Sequence, residues 1–260
     1  MIARHGLEPR KALGQHFLLD PALTARIAAL AGDLSGVQVV EIGPGPGGLT
    51  RALLATDAAA VTAIELDRRA VAALGELQAA FPGRLVVREA DALAVDVAAL
   101  VPAPRVIVAN LPYNVATPLL IGWLRAAAAF RRLVLMFQLE VALRICATPG
   151  SAAYGRLSVL AQANCAVALA LRLPPGAFSP PPKVESGVVV FTPRPDRPDP
   201  GLLAALERVT AAAFGQRRKM LRGALMGLGG AALLERAGIG PERRAETLTV
   251  PEFLRLAALL

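Results

Sequence analysis

Asn110-Leu111-Pro112-Tyr113-Asn114 places a side-chain amide, a proline-stiffened turn and an aromatic ring within five residues. Such a set can hold a flat base. The ring stacks on its face, while the amide oxygen and a backbone carbonyl accept from an exocyclic amine. The same composition also makes an ordinary turn, with Asn as its cap and Tyr as packing. The preceding run bears on the choice. Arg105-Val106-Ile107-Val108-Ala109 is short, β-branched and preceded by Pro102 and Pro104, which predicts a buried parallel strand. The polar set then stands just past a strand's carboxyl end, where open α/β sheets bind their ligands.

Three earlier strand ends carry comparable groups. Val37–Ile42 predicts a strand that runs directly into Gly43-Pro44-Gly45-Pro46-Gly47-Gly48, with a helix starting near Leu49. Glycines there allow a tight turn and close approach of backbone to a ligand. The spacing is not that of a dinucleotide fingerprint, and no Gly-Lys-Ser/Thr follows, which excludes a phosphate-cradling P-loop. Val61–Ile64 predicts the next strand and ends in Glu65-Leu66-Asp67. Glu65 lies 22 residues after Gly43, where a carboxylate can accept from both hydroxyls of a ribose. Asp67 reads better as the cap of the following helix. Leu85–Val87 predicts a third strand, leading to Asp91, which could accept from an adenine amino group.

Between these strands lie segments of helical length and pattern, so the elements alternate as in a Rossmann-like α/β fold with right-handed crossovers. Asp20-Pro21 predicts a helix start, Leu119–Ala129 a helix, and Arg132–Phe137, Val167–Leu173 and Gly187–Thr192 the remaining strands. Phe178-Ser179-Pro180-Pro181-Pro182-Lys183-Val184 predicts a stiff extended loop with Phe178 exposed at its entrance. Phe178 is either core packing or a cover for the second face of a clamped base. The proline-rich 192–200 predicts a linker between a domain over 1–192 and a helical domain over 201–260.

The chain has 260 residues, 55% of them hydrophobic and only 4% aromatic, ample for a core. Its formal net charge is +8, nearly all from Arg, which favours a polyanionic partner. Cys146 and Cys165 sit in apolar surroundings without metal-type spacing, as small core residues of a reducing compartment do. No stretch is apolar and long enough for a membrane span, and the first residues lack a signal peptide's apolar core. A cytoplasmic monomer without a metal is expected.

Together the first three strand ends describe a site for an adenosine-containing cofactor that needs neither a pyrophosphate site nor a nicotinamide. S-adenosylmethionine fits. Its ribose would meet Glu65, its adenine Asp91 and its methionine part the glycine loop, and its methyl group would point towards Asn110. An aromatic amine is a poor nucleophile because its lone pair is delocalised into the ring. Accepting its hydrogens at the Asn110 side-chain oxygen and the Leu111 carbonyl, with Tyr113 stacked on the base, favours a pyramidal, reactive nitrogen. Such an atom is reached only in an unpaired or flipped-out base.

Segments spread over almost the whole chain also carry a resemblance. They are Leu13–Leu18, Val40–Gly45, Ile64–Asp67, Asn110–Asn114, Tyr154–Ser158, Phe178–Val184 and Phe214–Lys219. In these the chain resembles the ribosomal RNA adenine N6,N6-dimethyltransferases, in particular the bacterial members that modify two adjacent adenines near the 3′ end of small-subunit (16S) rRNA. The resemblance implies a seven-stranded class I methyltransferase domain with a small all-helical C-terminal domain. It also implies cofactor contacts at His16, Leu18, Gly43, Glu65, Asp91 and Asn110. His16 stands where the family often has Asn, so a backbone contact is expected there. The implied partner is small-subunit rRNA within a pre-30S particle. A sister enzyme acting on large-subunit rRNA would share the cofactor site, but Leu111 and Gln216–Lys219 lean against it. A nucleotide-binding oxidoreductase is disfavoured by the glycine spacing. A non-catalytic ribosome-assembly factor is separated from an enzyme by a methyl-transfer assay.

Charge density points to the RNA-facing part. Residues 191–260 hold 11 of the 28 Arg and Lys and 7 of the 20 acids, a net of +4 on far fewer residues than the remaining +4. Arg217, Arg218, Lys219 and Arg222 are the expected phosphate grip, with Arg131, Arg132, Arg10 and Lys11 as the next candidates.

Overall fold

The computed structural model describes residues 7–8 and 15–260. Arg10 and Lys11, further candidates for a phosphate grip, and Leu13 and Gly14 of the first family-like segment lie outside the described residues. The strands are β1 (Phe17–Leu18), β2 (Gln38–Ile42), β3 (Ala60–Glu65), β4 (Leu85–Glu89), β5 (Arg105–Asn110), β6 (Arg132–Gln138), β7 (Cys165–Leu173), β8 (Phe178–Ser179) and β9 (Ser186–Pro193). The α-helices are α1 (Pro21–Ala29), α2 (Gly48–Leu54), α3 (Arg68–Ala80), α4 (Val97–Leu100), α5 (Tyr113–Arg125), α6 (Leu139–Ile145), α7 (Arg156–Asn164), α8 (Pro200–Gly215), α9 (Leu221–Ala224), α10 (Gly230–Arg236) and α11 (Val250–Ala257).

Local signals explain most boundaries. Asp20 caps α1, its carboxylate accepting from the N–H groups of Ala22 and Leu23, with Pro21 in the first turn. Asp67 caps α3, as its sequence position implies, and Asp199 caps α8 ahead of Pro200. Thr249 and Glu252 form a capping box on α11. One boundary differs from expectation. α5 begins at Tyr113, six residues before Leu119, and contains Pro118. Proline there forfeits one hydrogen bond to the carbonyl of Asn114 yet stays within the early turns, so the helix continues through it.

Seven strands form one sheet in the order β4-β3-β2-β5-β6-β9-β7. β2 through β6 pair in parallel, and β9 joins β6 antiparallel. From β2 the chain winds outward through β3 to β4. It then returns to β5 on the other side of β2 and winds the opposite way. The carboxyl ends of β2 and β5 therefore lie side by side at the switch point, where ligand crevices form. Val39, Val61, Val106, Val108 and Val134 are buried in the sheet, packed with Ile27, Leu53, Leu54, Leu74 and Leu77 of the flanking helices. Parallel strands covered on both faces require such near-continuous apolar runs.

The chain divides into two compact units. The first comprises the described residues up to Ala142 together with Ala168–Thr192 and holds the parallel strands. The second comprises Leu143–Val167 and Pro193–Leu260. Its extent differs from the expected 201–260 because α7 buries Val159, Leu160 and Ala163, and α7, α8 and α11 pack on one another. Tyr154 meets Phe214 edge-on at 6.1 Å, and Phe214 meets Phe253 at 5.5 Å. The expected linker is tied down too. Arg194 donates its backbone N–H to the Asn164 carbonyl and its Nε to that of Gln162. Cys165 is buried and Cys146 half-buried, and neither forms a disulfide. Among the described residues, no helix is long and apolar enough to cross a membrane.

β1 and β8 form a separate two-stranded ladder, Phe17 opposite Ser179 and Leu18 opposite Phe178. This strap is pressed against the glycine loop. A Cβ built on Gly48 would lie 2.1 Å from the Leu18 carbonyl oxygen, and one on Gly45 would lie 2.9 Å from the Phe17 ring. Glycine at 48 is thus required by the chain's own backbone as well as by any ligand. Gly48→Ala is expected to cost about 1–3 kcal/mol, because backbone must shift to admit the methyl group. Gly75→Ala in α3, where a Cβ meets nothing within 4 Å, is the control and should be neutral or stabilising. Denaturant midpoints of the two variants against the parent check both outcomes.

Candidate active site

A cleft of about 1080 Å³, measured out to its open mouth, lies at the carboxyl ends of β2, β3, β4 and β5, wholly within the first unit. The strap covers one side with His16, Phe17 and Leu18, and the glycine loop forms another with Gly43 to Pro46. Glu65, Asp91, Asn110, Leu111, Pro112 and Tyr113 complete the lining. The structure therefore brings together every cofactor-site residue expected from the sequence, along with Asn110–Tyr113. Gly43 has φ +65°, and a Cβ there would meet Pro112 Cδ at 3.6 Å, so the two loops close on each other at this point.

Asn110 is the last residue of β5. Its Nδ2 donates to the His16 carbonyl at 2.8 Å. That bond settles which way the amide faces and leaves Oδ1 without a partner among the described residues. Tyr113 is the first residue of α5, and its ring centroid lies 5.7 Å from that of His16. Its hydroxyl shares a 2.6 Å hydrogen bond with Ser186 Oγ. Burial pushes the Tyr113 phenol's pKa up, against a smaller lowering by Ser186. The imidazole of His16 is engaged through Nδ1 with the Pro180 carbonyl at 2.9 Å.

Glu65 is 7% exposed and already accepts three backbone N–H groups. Oε1 takes those of Leu66 and Asp67, both at 2.9 Å, and Oε2 takes that of Gly45 at 3.0 Å. Burial raises its pKa and these three bonds oppose the rise. Oε1 is filled, so the expectation of a two-hydroxyl acceptor reduces to one open lone pair, on Oε2. Asp91 accepts the Leu93 N–H on Oδ1, which leaves Oδ2 without a partner among the described residues. Asp67 stands outside the cleft lining, held by Arg69 and Gln15, and the Arg69 hydrogen bonds keep its pKa down at about 2.

Phe178 corrects the sequence reading. It is 5% exposed and packs in the core cluster that contains Leu18, and it is not among the residues lining the cleft. Pairing of β8 with β1 turns its ring inward, and the core-packing alternative prevails. Arg217, Arg218, Lys219 and Arg222 are exposed in the second unit. Arg217 donates to the Ala152 carbonyl at 2.7 Å, and Arg222 stands 4.0 Å from Glu242.

Sequence reasoning passed over three residue positions. Leu66 and Leu93 are apolar yet 56% and 51% exposed, and both line the cleft. Their signal was an apolar residue immediately after, or two after, a strand-end acid. Glu41 is the third. It is 1% exposed, it lines the cleft, and its Oε2 has no hydrogen-bond partner among the described residues. Burial pushes its pKa up to about 8, the Thr50 hydroxyl pulls weakly the other way, and Glu65 adds to the rise. A carboxyl whose folded pKa is raised contributes fully below its unfolded value, near 4.5, and loses that contribution as pH rises towards 8. Glu41→Gln, neutral at every pH, is therefore expected to unfold like the parent near pH 5 and at higher urea than the parent near pH 8. Urea titrations at the two pH values test this, and equal midpoints at pH 8 would count against a neutral buried acid.

Comparison with known families and structures gives consistent findings. Residues 6–260 match the family model described as ribosomal RNA adenine dimethylase. The ribosomal RNA small subunit methyltransferase A of Gluconobacter oxydans is 64% identical over 258 residues, covering 99% of this chain and 85% of that protein. The protein of the same name from Paramagnetospirillum magneticum is 58% identical, covering 100% and 93%. Among solved structures, a dimethyladenosine transferase from Plasmodium falciparum superposes with a TM-score of 0.80 at 27% identity, covering 93% of this chain and 96% of that one. The 23S rRNA methyltransferase ErmE superposes with a TM-score of 0.70 at 26% identity, covering 93% and 98%.

Proposed function

Because the chain belongs to the ribosomal RNA adenine dimethylase family, we propose that it transfers methyl groups from S-adenosylmethionine to N6 of two adjacent adenines near the 3′ end of small-subunit rRNA. The observation that carries this reading is the fixed amide of Asn110. Its Nδ2 is committed to the His16 carbonyl, which leaves Oδ1 as the end of the amide open to a donor, on a residue that lines the cleft with Leu111 and Tyr113.

When bound, S-adenosylmethionine supplies an electrophilic methyl group on a positively charged sulfur. The donor set fits it. Glu65 Oε2 accepts from a ribose hydroxyl, Asp91 Oδ2 from the adenine amine, and Leu66 and Leu93 provide apolar walls for the ring. Gly43 and Gly45 allow the remaining part to lie against the loop backbone, and Leu18 and the His16 backbone close the strap side. On the substrate side, Tyr113 stacks on the target base, with Pro112 fixing the turn that presents the ring. Asn110 Oδ1 and the Leu111 carbonyl accept the two N–H hydrogens. Both acceptors favour a nitrogen whose lone pair points out of the ring plane towards the methyl carbon. With the cofactor bound, the nitrogen so held would take the methyl group from sulfur and give up one of its N–H protons to water. No strong base and no metal is assigned, since positioning carries the step.

The second unit serves the RNA. Arg217, Arg218, Lys219 and Arg222 grip phosphates, which positions the particle without selecting sequence, so RNA shape supplies the selection. The reading takes the chain as a cytoplasmic monomer acting on an assembling small subunit.

Two measurements test this function. Asn110→Ala and Tyr113→Ala are each expected to lose turnover on small-subunit particles at least about tenfold while cofactor affinity falls less, base stacking alone being worth about 1–3 kcal/mol. Mass spectrometry of the rRNA together with calorimetry of cofactor binding reads both quantities. Wild-type turnover in Tyr113→Ala would remove the base clamp. Arg217→Ala/Arg218→Ala should flatten the slope of log affinity against log salt by roughly one to two units and leave cofactor affinity unchanged. If the slope does not move, these arginines are structural, as the Arg217–Ala152 bond would suggest, and the phosphate grip lies elsewhere.

A further inference from the structure

Ser186 has no place in the chemistry above, yet it is 0% exposed and its hydroxyl reaches the cleft's aromatic ring. It is the first residue of β9 and pairs with Gln138 in the β6–β9 ladder. Its backbone is thus fixed by the central sheet, so Oγ is a fixed point. Tyr113 Oη lies 2.6 Å from it. The ring also neighbours the imidazole of His16, centroids 5.7 Å apart and tilted by 31°, and His16 is itself held by the Pro180 carbonyl.

Resting on the base-clamp reading of Tyr113, we propose that Ser186 is a positioning residue that fixes the plane of the Tyr113 ring, and that the second methyl transfer to each adenine depends on this more than the first. A tyrosine at a helix start can swing about two side-chain torsions, the outer one broad. Tethering its hydroxyl to the sheet removes most of that freedom at the end farthest from the backbone. The ring then meets an incoming base in one orientation and orders little on binding.

The asymmetry between the two transfers follows from counting hydrogens. An unmethylated N6 has two N–H groups, one for Asn110 Oδ1 and one for the Leu111 carbonyl. After the first transfer the nitrogen has one methyl group and a single N–H, so one of the two acceptors loses its donor. The base is then located by one hydrogen bond and the stack, and stacking carries a larger share of its placement. Loosening the ring should slow the second transfer more than the first and release singly methylated base.

The test uses the full-length chain and small-subunit particles lacking the modification. Ser186→Ala should lower kcat by roughly three- to tenfold, the range of one neutral hydrogen bond. It should also raise the ratio of N6-methyladenosine to N6,N6-dimethyladenosine in early product, leave cofactor affinity unchanged and lower the melting temperature no more than Tyr113→Phe does. Tyr113→Phe removes the other partner at a half-buried ring and should reproduce both effects. The double variant should be no worse than either single one, because both delete the same bond. Ser186→Thr keeps the hydroxyl and should restore the product ratio. The chain has two tyrosines, so alkaline titration adds a spectroscopic readout. Ser186→Ala should move the Tyr113 transition further up and leave that of Tyr154, near 12, in place. An unchanged product ratio in Ser186→Ala, with Tyr113→Ala still defective, overturns the positioning role and spares the clamp. An undiminished Tyr113→Ala overturns the clamp and this proposal with it. A joint loss of melting temperature and cofactor affinity in Ser186→Ala, with no change in product ratio, makes the residue a packing element and also overturns it.

Discussion

The hydrogen bond from Asn110 Nδ2 to the His16 carbonyl joins two segments 94 residues apart, and the rest of the site is arranged around it. A primary amide has an acceptor end and a donor end of nearly equal shape, and an unanchored one presents either. Here the donor end is occupied, so the acceptor end is the one left for a further partner. The bond exists only because the strap is seated. Seating requires β8 as ladder partner, the absence of a side chain on Gly48 and the imidazole contact with the Pro180 carbonyl. The proline loop meets the cleft through the strap, without placing its own phenylalanine ring there.

The parallel strands and their polar ends were legible in the sequence because each is a local pattern. A β-branched run followed by Gly43, Glu65, Asp91 or Asn110 specifies both an element and its functional edge. Features that depend on long-range pairing were not. Two-residue strands such as β1 and β8 have no periodicity to detect, and their pairing alone decides that Phe178 turns inward. Glu41 reads as one polar residue in an apolar strand. Only the switch-point topology places it under the cleft, with no donor for one of its oxygens. Ser186 likewise gains meaning from a neighbour on α5 that no spacing rule connects to it. The start of α5 was set too late because a helix interior ordinarily excludes proline, and Pro118 falls just early enough to be tolerated.

Charge separates the two tasks of the molecule. The chain carries a net +8, yet the described residues lining the cleft include Glu41, Glu65 and Asp91 and neither Arg nor Lys. A phosphate backbone is drawn to the basic exterior and gains nothing by entering an acid-floored cleft, so only a base extruded from the strand has reason to occupy it. The same floor favours a ligand that bears positive charge, as a sulfonium does, over one that bears phosphates, as a dinucleotide does. Environment then divides the acids. Burial raises the pKa of both, but three backbone donors oppose the rise at Glu65, while Glu41 lacks any such donor for Oε2 among the described residues and is pushed further, up to about 8. Two ionised carboxylates at that depth would repel each other and cost more desolvation than one. A neutral Glu41 avoids that repulsion beside Glu65.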